Sequence, residues 1–109
     1  MQLGDMQRTI DTWIQANGGY WSELSMLARL TEEVGELARE YNHRFGDKRK
    51  KSSEGEVSLE DEMADVLWLL LCMANQQDID LEAAFTRTMA KITTRDAGRF
   101  TTSETSSGD

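Results

Sequence analysis

No proline occurs at any of the 109 positions of this chain, and four stretches repeat apolar residues every three or four positions. A proline inside a helix removes a backbone donor and clashes with the preceding turn. Its absence leaves each stretch free to run as one unbroken amphipathic helix, broken only where Gly, Asn, Asp and Ser gather.

The first helix is predicted from about Asp5 to Ala16, with Met6, Ile10, Trp13 and Ile14 on one face and Asn17-Gly18-Gly19 as its stop. The second begins near Ser22 or Ser25 and runs to about Arg44, before Gly46. Its stripe is Leu27, Leu30, Val34, Leu37 and Tyr41. Ser58 is the expected N-cap of the third, with Asp61 three residues on and a stripe of Leu59, Met63, Val66, Leu70 and Met73. Asn75 to Asp80 reads as a turn. Asp80 or Asp78 would cap a fourth helix carrying Leu81, Phe85, Met89 and Ile92. No stretch alternates as a strand does. The expected fold class is all-α, a four-helix bundle within one domain over residues 1–100. Gly46 to Val57 is expected as an exposed loop whose basic run, Lys48 to Lys51, is solvated. The polar tail over residues 101–109 has no apolar residue to anchor it and is expected to be disordered.

Charge removes several functions. With 20 acidic against 12 basic residues the net charge is −8, the wrong sign for gripping a nucleic-acid backbone or an anionic membrane. The longest apolar run, Val66 to Ala74, falls far short of the ~20 residues that span a bilayer. The N-terminus lacks the features of a signal peptide. One cysteine, Cys72, and one histidine, His43, exclude an internal disulfide and a structural zinc set. A cytoplasmic location is expected. Cys72 reads as a small buried hydrophobe, and His43, near a helix end, as structural or neutral.

The acidic residues are not evenly spread. Glu32, Glu33, Glu36 and Glu40 fall within nine residues of the second helix, and Glu60, Asp61, Glu62 and Asp65 open the third. Glu33, Glu36 and Glu40 share a strip beside the apolar stripe, as do Glu62 and Asp65. Like charges at these spacings destabilise a helix, and no lysine interleaves to offset them. A Glu-rich face alone is ordinarily a solvated face. Two such faces on helices that pack antiparallel can converge, and oxygen-only ligands suit a hard cation such as Mg²⁺ or Mn²⁺. A di-iron carboxylate site is excluded, because the Glu-x-x-His pairs it takes are missing. Arg87, Lys91 and Arg95 form one basic strip on the fourth helix, a solvated face by itself and a phosphate clamp beside a metal cluster.

Read together, Glu32-Glu33-x-x-Glu36, 25 intervening residues, then Glu62-x-x-Asp65 resemble the E-E-x-x-E … E-x-x-D signature of the MazG-like all-α nucleoside triphosphate pyrophosphohydrolases. The stretches Leu27-Ala28-Arg29-Leu30-Thr31-Glu32-Glu33, Gly35-Glu36-Leu37-Ala38-Arg39-Glu40 and Lys91-Ile92-Thr93-Thr94-Arg95-Asp96 are similar to short single-domain members. The likeness runs from about Met6 to Phe100. It implies hydrolysis of a nucleoside triphosphate to monophosphate and pyrophosphate as a house-cleaning reaction, with Mg²⁺ (or Mn²⁺) held by Glu33, Glu36, Glu62 and Asp65. Glu32 would be a further ligand or the group that orients the attacking water. Lys91 and Arg95 would hold phosphate oxygens, and Asn75 would contact the nucleotide or cap its helix. The likeness also implies a homodimer or homotetramer in which neighbouring chains complete the site.

For the base, Trp13, Tyr20 and Trp21 lie near the first two helices. Trp21, next to Gly18-Gly19, is the candidate for stacking, and Trp68 is expected in the core. Two other functions stay open on the sequence: a phosphoribosyl-ATP pyrophosphohydrolase, which cleaves the same bond type, and a non-catalytic acidic helical module that binds a basic partner.

Overall fold

The computed structural model describes residues 1–46 and 58–95. The loop with Lys48 to Lys51 and the tail from Thr101 lie outside the described residues. Among those described there are four helices and no strand: α1 (Leu3–Ala16), α2 (Glu23–Phe45), α3 (Leu59–Gln76) and α4 (Leu81–Arg95). The expected all-α architecture is the observed one. None of these helices is long and apolar enough to cross a membrane.

Short polar side chains set the helix starts. Ser22 caps α2 by accepting from the Ser25 amide, and Ser58 does the same for α3 through the Asp61 amide. Asp80, rather than Asp78, serves α4, its carboxylate accepting from the Ala83 amide at 3.1 Å. α1 begins two residues earlier than expected, because the Gln2 amide donates to the Asp5 carboxylate at 3.0 Å. The stop after α1 uses two glycines with φ of +104° and +88°, a region where a side chain is strained.

α2 and α3 form the main antiparallel pair; α1 packs on α3, and α4 is held mainly by α1. The core lies toward one end of the pair: Ile10 and Ile14 of α1, Met26 of α2, and Leu69, Leu71 and Cys72 of α3. Burial pushes the Cys72 thiol up to about 11, which makes it the inert hydrophobe the sequence implied.

The faces chosen differ from the apolar stripes. On α2 the buried residues are Met26, Glu33 and Glu40, whereas Leu27, Val34 and Tyr41 are exposed. On α3, Met63 and Leu70 are exposed and Leu69, Leu71, Cys72 and Ala74 are buried. α4 buries no residue fully, and Trp68, expected in the core, is 42% exposed. Periodicity marks a stripe, but packing sets the rotation about the helix axis. Here the rotation draws the edge bearing Glu33 and Glu40 into the α2–α3 seam.

A polar network ties α1, the segment before α2, the end of α3 and the start of α4 together. The Gln7 amide group donates to Asn75 Oδ1 at 3.0 Å and to the Ile79 carbonyl at 2.8 Å, and its oxygen accepts from the Leu81 amide at 3.0 Å. Asn75 Nδ2 donates to the Gln7 carbonyl and to the Tyr20 hydroxyl, both at 3.0 Å, and Tyr20 donates to Asp11 at 2.6 Å. Asn75 thus joins α1, α3 and the segment before α2. Asn75→Ala strips partners from Gln7 and Tyr20 at once. The expected loss is about 2–3 kcal/mol, read as a lower urea midpoint.

Candidate metal and nucleotide site

Beyond the apolar end of the α2–α3 seam, carboxylates replace side-chain packing. Glu33 of α2 is 4% exposed and Glu62 of α3 is 9% exposed. Together with the more open Asp65, one turn on from Glu62, they bring one oxygen each to within 4.8 Å of one another. Glu36, exposed at the rim, adds a further carboxylate whose charge acts on Glu33. Glu40, also buried, continues the line, with Arg44 Nε donating to it at 3.4 Å and His43 Nδ1 4.0 Å away.

Such an arrangement raises the proton affinity of Glu33 and Glu62. Burial pushes Glu33 above the usual carboxylate range, the neighbouring Glu36 adds to it, and Arg29 pulls the other way. Burial also pushes Glu62 up, reinforced by Glu36, Asp65 and Glu40. Both carboxyls therefore hold protons in the native state above 4.5, the ordinary value at which the unfolded chain releases them. In that window the native state binds more protons than the unfolded one, so stability falls as pH rises. The melting temperature in EDTA is expected to fall as pH rises above the ordinary carboxylate range, and Glu62→Gln to flatten the slope.

The donor set fits a hard divalent cation. One oxygen of Glu62, Oε2, is buried without a hydrogen-bond partner among the described residues, a costly state for a carboxylate unless a cation completes it. Every donor is a carboxylate oxygen, as Mg²⁺ and Mn²⁺ prefer.

A pocket of about 410 Å³ opens beside the cluster. Trp13, Tyr20, Trp21 and Trp68 supply aromatic walls, Leu69 and Met26 line it from the core side, and Glu33, Asp65 and Arg29 stand at its acidic edge. Trp21 was expected near a base; Trp13, Tyr20 and Trp68 join it in the wall.

The other expected site residues lie elsewhere. Glu32 does not join the cluster: it is two-thirds exposed, 3.8 Å from Arg29, and lines a neighbouring groove with Trp21, Ser22 and Ser25. Lys91 and Arg95 sit exposed on α4, and no α4 residue lines the pocket. Asn75 spends its side chain on the Gln7–Tyr20 network and reaches the pocket only through Tyr20. The sequence reading missed Arg29, whose Nη2 lies 2.7 Å from Glu33 Oε1. Its i,i+4 spacing from Glu33 was the signal available.

The helices thus bring a carboxylate cluster to the edge of an aromatic pocket, and the class of the protein follows from its similarity to known proteins. Residues 21–100 match the MazG nucleotide pyrophosphohydrolase domain. The chain belongs to that family and is a pyrophosphohydrolase acting on a nucleotide. It is 54% identical over 103 residues to YpjD of Bacillus subtilis strain 168, covering 94% of this chain and 93% of YpjD. The crystal structure of the B. subtilis YpjD protein superposes with a TM-score of 0.75 at 51% identity, over 84% of this chain and 94% of that one. The crystal structure of the Bacillus-conserved MazG protein, a nucleotide pyrophosphohydrolase, gives 0.73 at 47% identity, over 89% and 95% of the two chains.

Proposed function

We propose that the protein hydrolyses nucleoside triphosphates, ribo or deoxy, to the monophosphate and pyrophosphate in a Mg²⁺-dependent reaction. The observation that carries this reading is the convergence of Glu33, Glu62 and Asp65, with Glu36 at the rim, on the edge of an aromatic pocket. Those four carboxylates would hold Mg²⁺, with Mn²⁺ as a substitute. When bound, the metal lowers the pKa of a water and offsets the charge of the triphosphate. The base would lie among Trp13, Tyr20, Trp21 and Trp68, which sets the phosphates toward Glu33 and Asp65. The apolar walls exclude competing water from the base end, and Asn75 acts indirectly by holding Tyr20 in the wall. Glu32 takes a lesser part in orienting water from its outer position.

Among the described residues, Lys91 and Arg95 do not line this pocket, and α4 packs mainly on α1. We propose that they act from a neighbouring copy in a homodimer or homotetramer. Support comes from the exposed apolar surface: Leu27, Val34 and Tyr41 on α2, Met63, Leu67 and Leu70 on α3, and Phe85 and Met89 on α4. So much apolar area on helices of one small chain favours self-association. Light scattering at micromolar concentration is expected to give a multiple of 12.4 kDa; a strict monomer would contradict it.

A screen of pyrophosphate release over the common ribo- and deoxynucleoside triphosphates, with Mg²⁺ and with EDTA, tests the activity. Release from at least one of them in Mg²⁺ alone supports the reading. Turnover of phosphoribosyl-ATP in preference to all of them would assign the site to that substrate instead.

A further inference from the structure

Arg29 stands where the carboxylate cluster, the aromatic pocket and the outer groove meet. Its Nη2 lies 2.7 Å from Glu33 Oε1, the oxygen of a residue that is almost fully buried, while its own side chain is 45% exposed. Charge-assisted contacts of this length are strong. A buried carboxylate beside other carboxylates needs such a countercharge when no metal is present.

The same contact engages one oxygen of a candidate metal ligand, Glu33 Oε1. A cation shared by Glu33, Glu62 and Asp65 competes with the guanidinium for Glu33 and repels it. Among the described residues, Arg29 is the one cationic residue lining the pocket. Its open side faces the groove formed with Trp21, Ser22, Ser25, Ala28 and Glu32, so the guanidinium has room to turn without disturbing the core. We infer that Arg29 is an exchangeable countercharge: it neutralises Glu33 in the empty site and moves onto the substrate's phosphates once a divalent cation has taken Glu33. This rests on the functional reading above and adds to it a phosphate-binding group supplied by the same chain. It also makes metal and triphosphate bind in mutual support, since each removes the obstacle to the other.

The inference predicts shifts of opposite sign from one substitution. Arg29→Met keeps the length of the side chain and deletes the charge. Mg²⁺ alone, titrated calorimetrically into the full chain without nucleotide, is expected to bind about tenfold more tightly to Arg29→Met than to wild type, the scale of one charged hydrogen bond. Inorganic tripolyphosphate, titrated in saturating Mg²⁺, is expected to bind about tenfold more weakly. Arg29→Lys, which keeps charge but not the fork, is expected to fall between the two on both measurements. KM for the best-cleaved nucleotide would rise more than kcat falls. If both affinities weaken together, Arg29 only props Glu33 in place, and the exchange is overturned. If neither moves, the pair is a solvated contact and the exchange is likewise overturned. A wild-type protein that binds no Mg²⁺ overturns the functional reading first and this inference with it, whereas wild-type binding with no opposed shift overturns the exchange alone.

Discussion

Asp65→Asn is expected to abolish turnover while leaving the helices folded. Asp65 is the exposed member of the three carboxylates whose oxygens lie within 4.8 Å of one another, so its amide fits the same space without disturbing the core. What it loses is the charge that a hard cation needs from its ligands. Removal of groups that merely support metal ligands already costs about 10–100-fold, and loss of a ligand is expected to exceed that range. Glu32→Gln provides the contrast. Glu32 faces the outer groove against Arg29 rather than Glu62, so its neutralisation is expected to lower kcat far less. Circular dichroism on both variants, alongside steady-state kinetics, separates chemistry from unfolding. Equal losses from the two substitutions would move the site outward, toward Glu32.

The second large effect is thermal. Without metal, Glu33 and Glu62 are buried in the α2–α3 seam, where desolvation and the charges of Glu36 and Asp65 oppose their ionisation. A ligand that binds only the native state stabilises it by RT ln(1 + [L]/Kd), about 2.7 kcal/mol at a hundred times Kd. For a domain of this length that corresponds to a rise in Tm of roughly 10–20 °C. Millimolar Mg²⁺ against EDTA in a scanning calorimeter measures it directly. Glu36→Gln, which removes the rim carboxylate, is expected to abolish most of the rise. An identical Tm in Mg²⁺ and EDTA would mean that the cluster is an acidic seam without a cation.

The helices were legible because their signals are local. Ser22, Ser58 and Asp80 each act on an amide three residues ahead, and the glycines after α1 announce the turn by chemistry alone. The carboxylate pairs were legible for the same reason, since Glu33-x-x-Glu36 and Glu62-x-x-Asp65 each share one helix face. The rotation of α2 was not. Leu27, Val34 and Tyr41 form a convincing inward stripe, yet the seam with α3 takes Met26, Glu33 and Glu40. Apolar periodicity cannot tell a face packed within the chain from one left open on its surface. Nor could it find the Gln7–Asn75 clamp, whose partners lie 68 residues apart, or the joint wall that Trp13, Tyr20, Trp21 and Trp68 make from three segments. The basic strip of α4 was visible as a strip, but its distance from the pocket depends on α4 packing mainly on α1. Arg29 fell between these cases: its spacing from Glu33 is local, and its position on the pocket edge is tertiary.

The bond that is cleaved tests the central claim most directly. Wild-type protein, incubated with the best nucleoside triphosphate and Mg²⁺ and resolved by ion-exchange chromatography, is expected to yield monophosphate and pyrophosphate in equal amounts, with neither product formed by Asp65→Asn or in EDTA. Diphosphate with orthophosphate as the first products, or near-normal turnover by Asp65→Asn, would contradict a site built on Glu33, Glu36, Glu62 and Asp65.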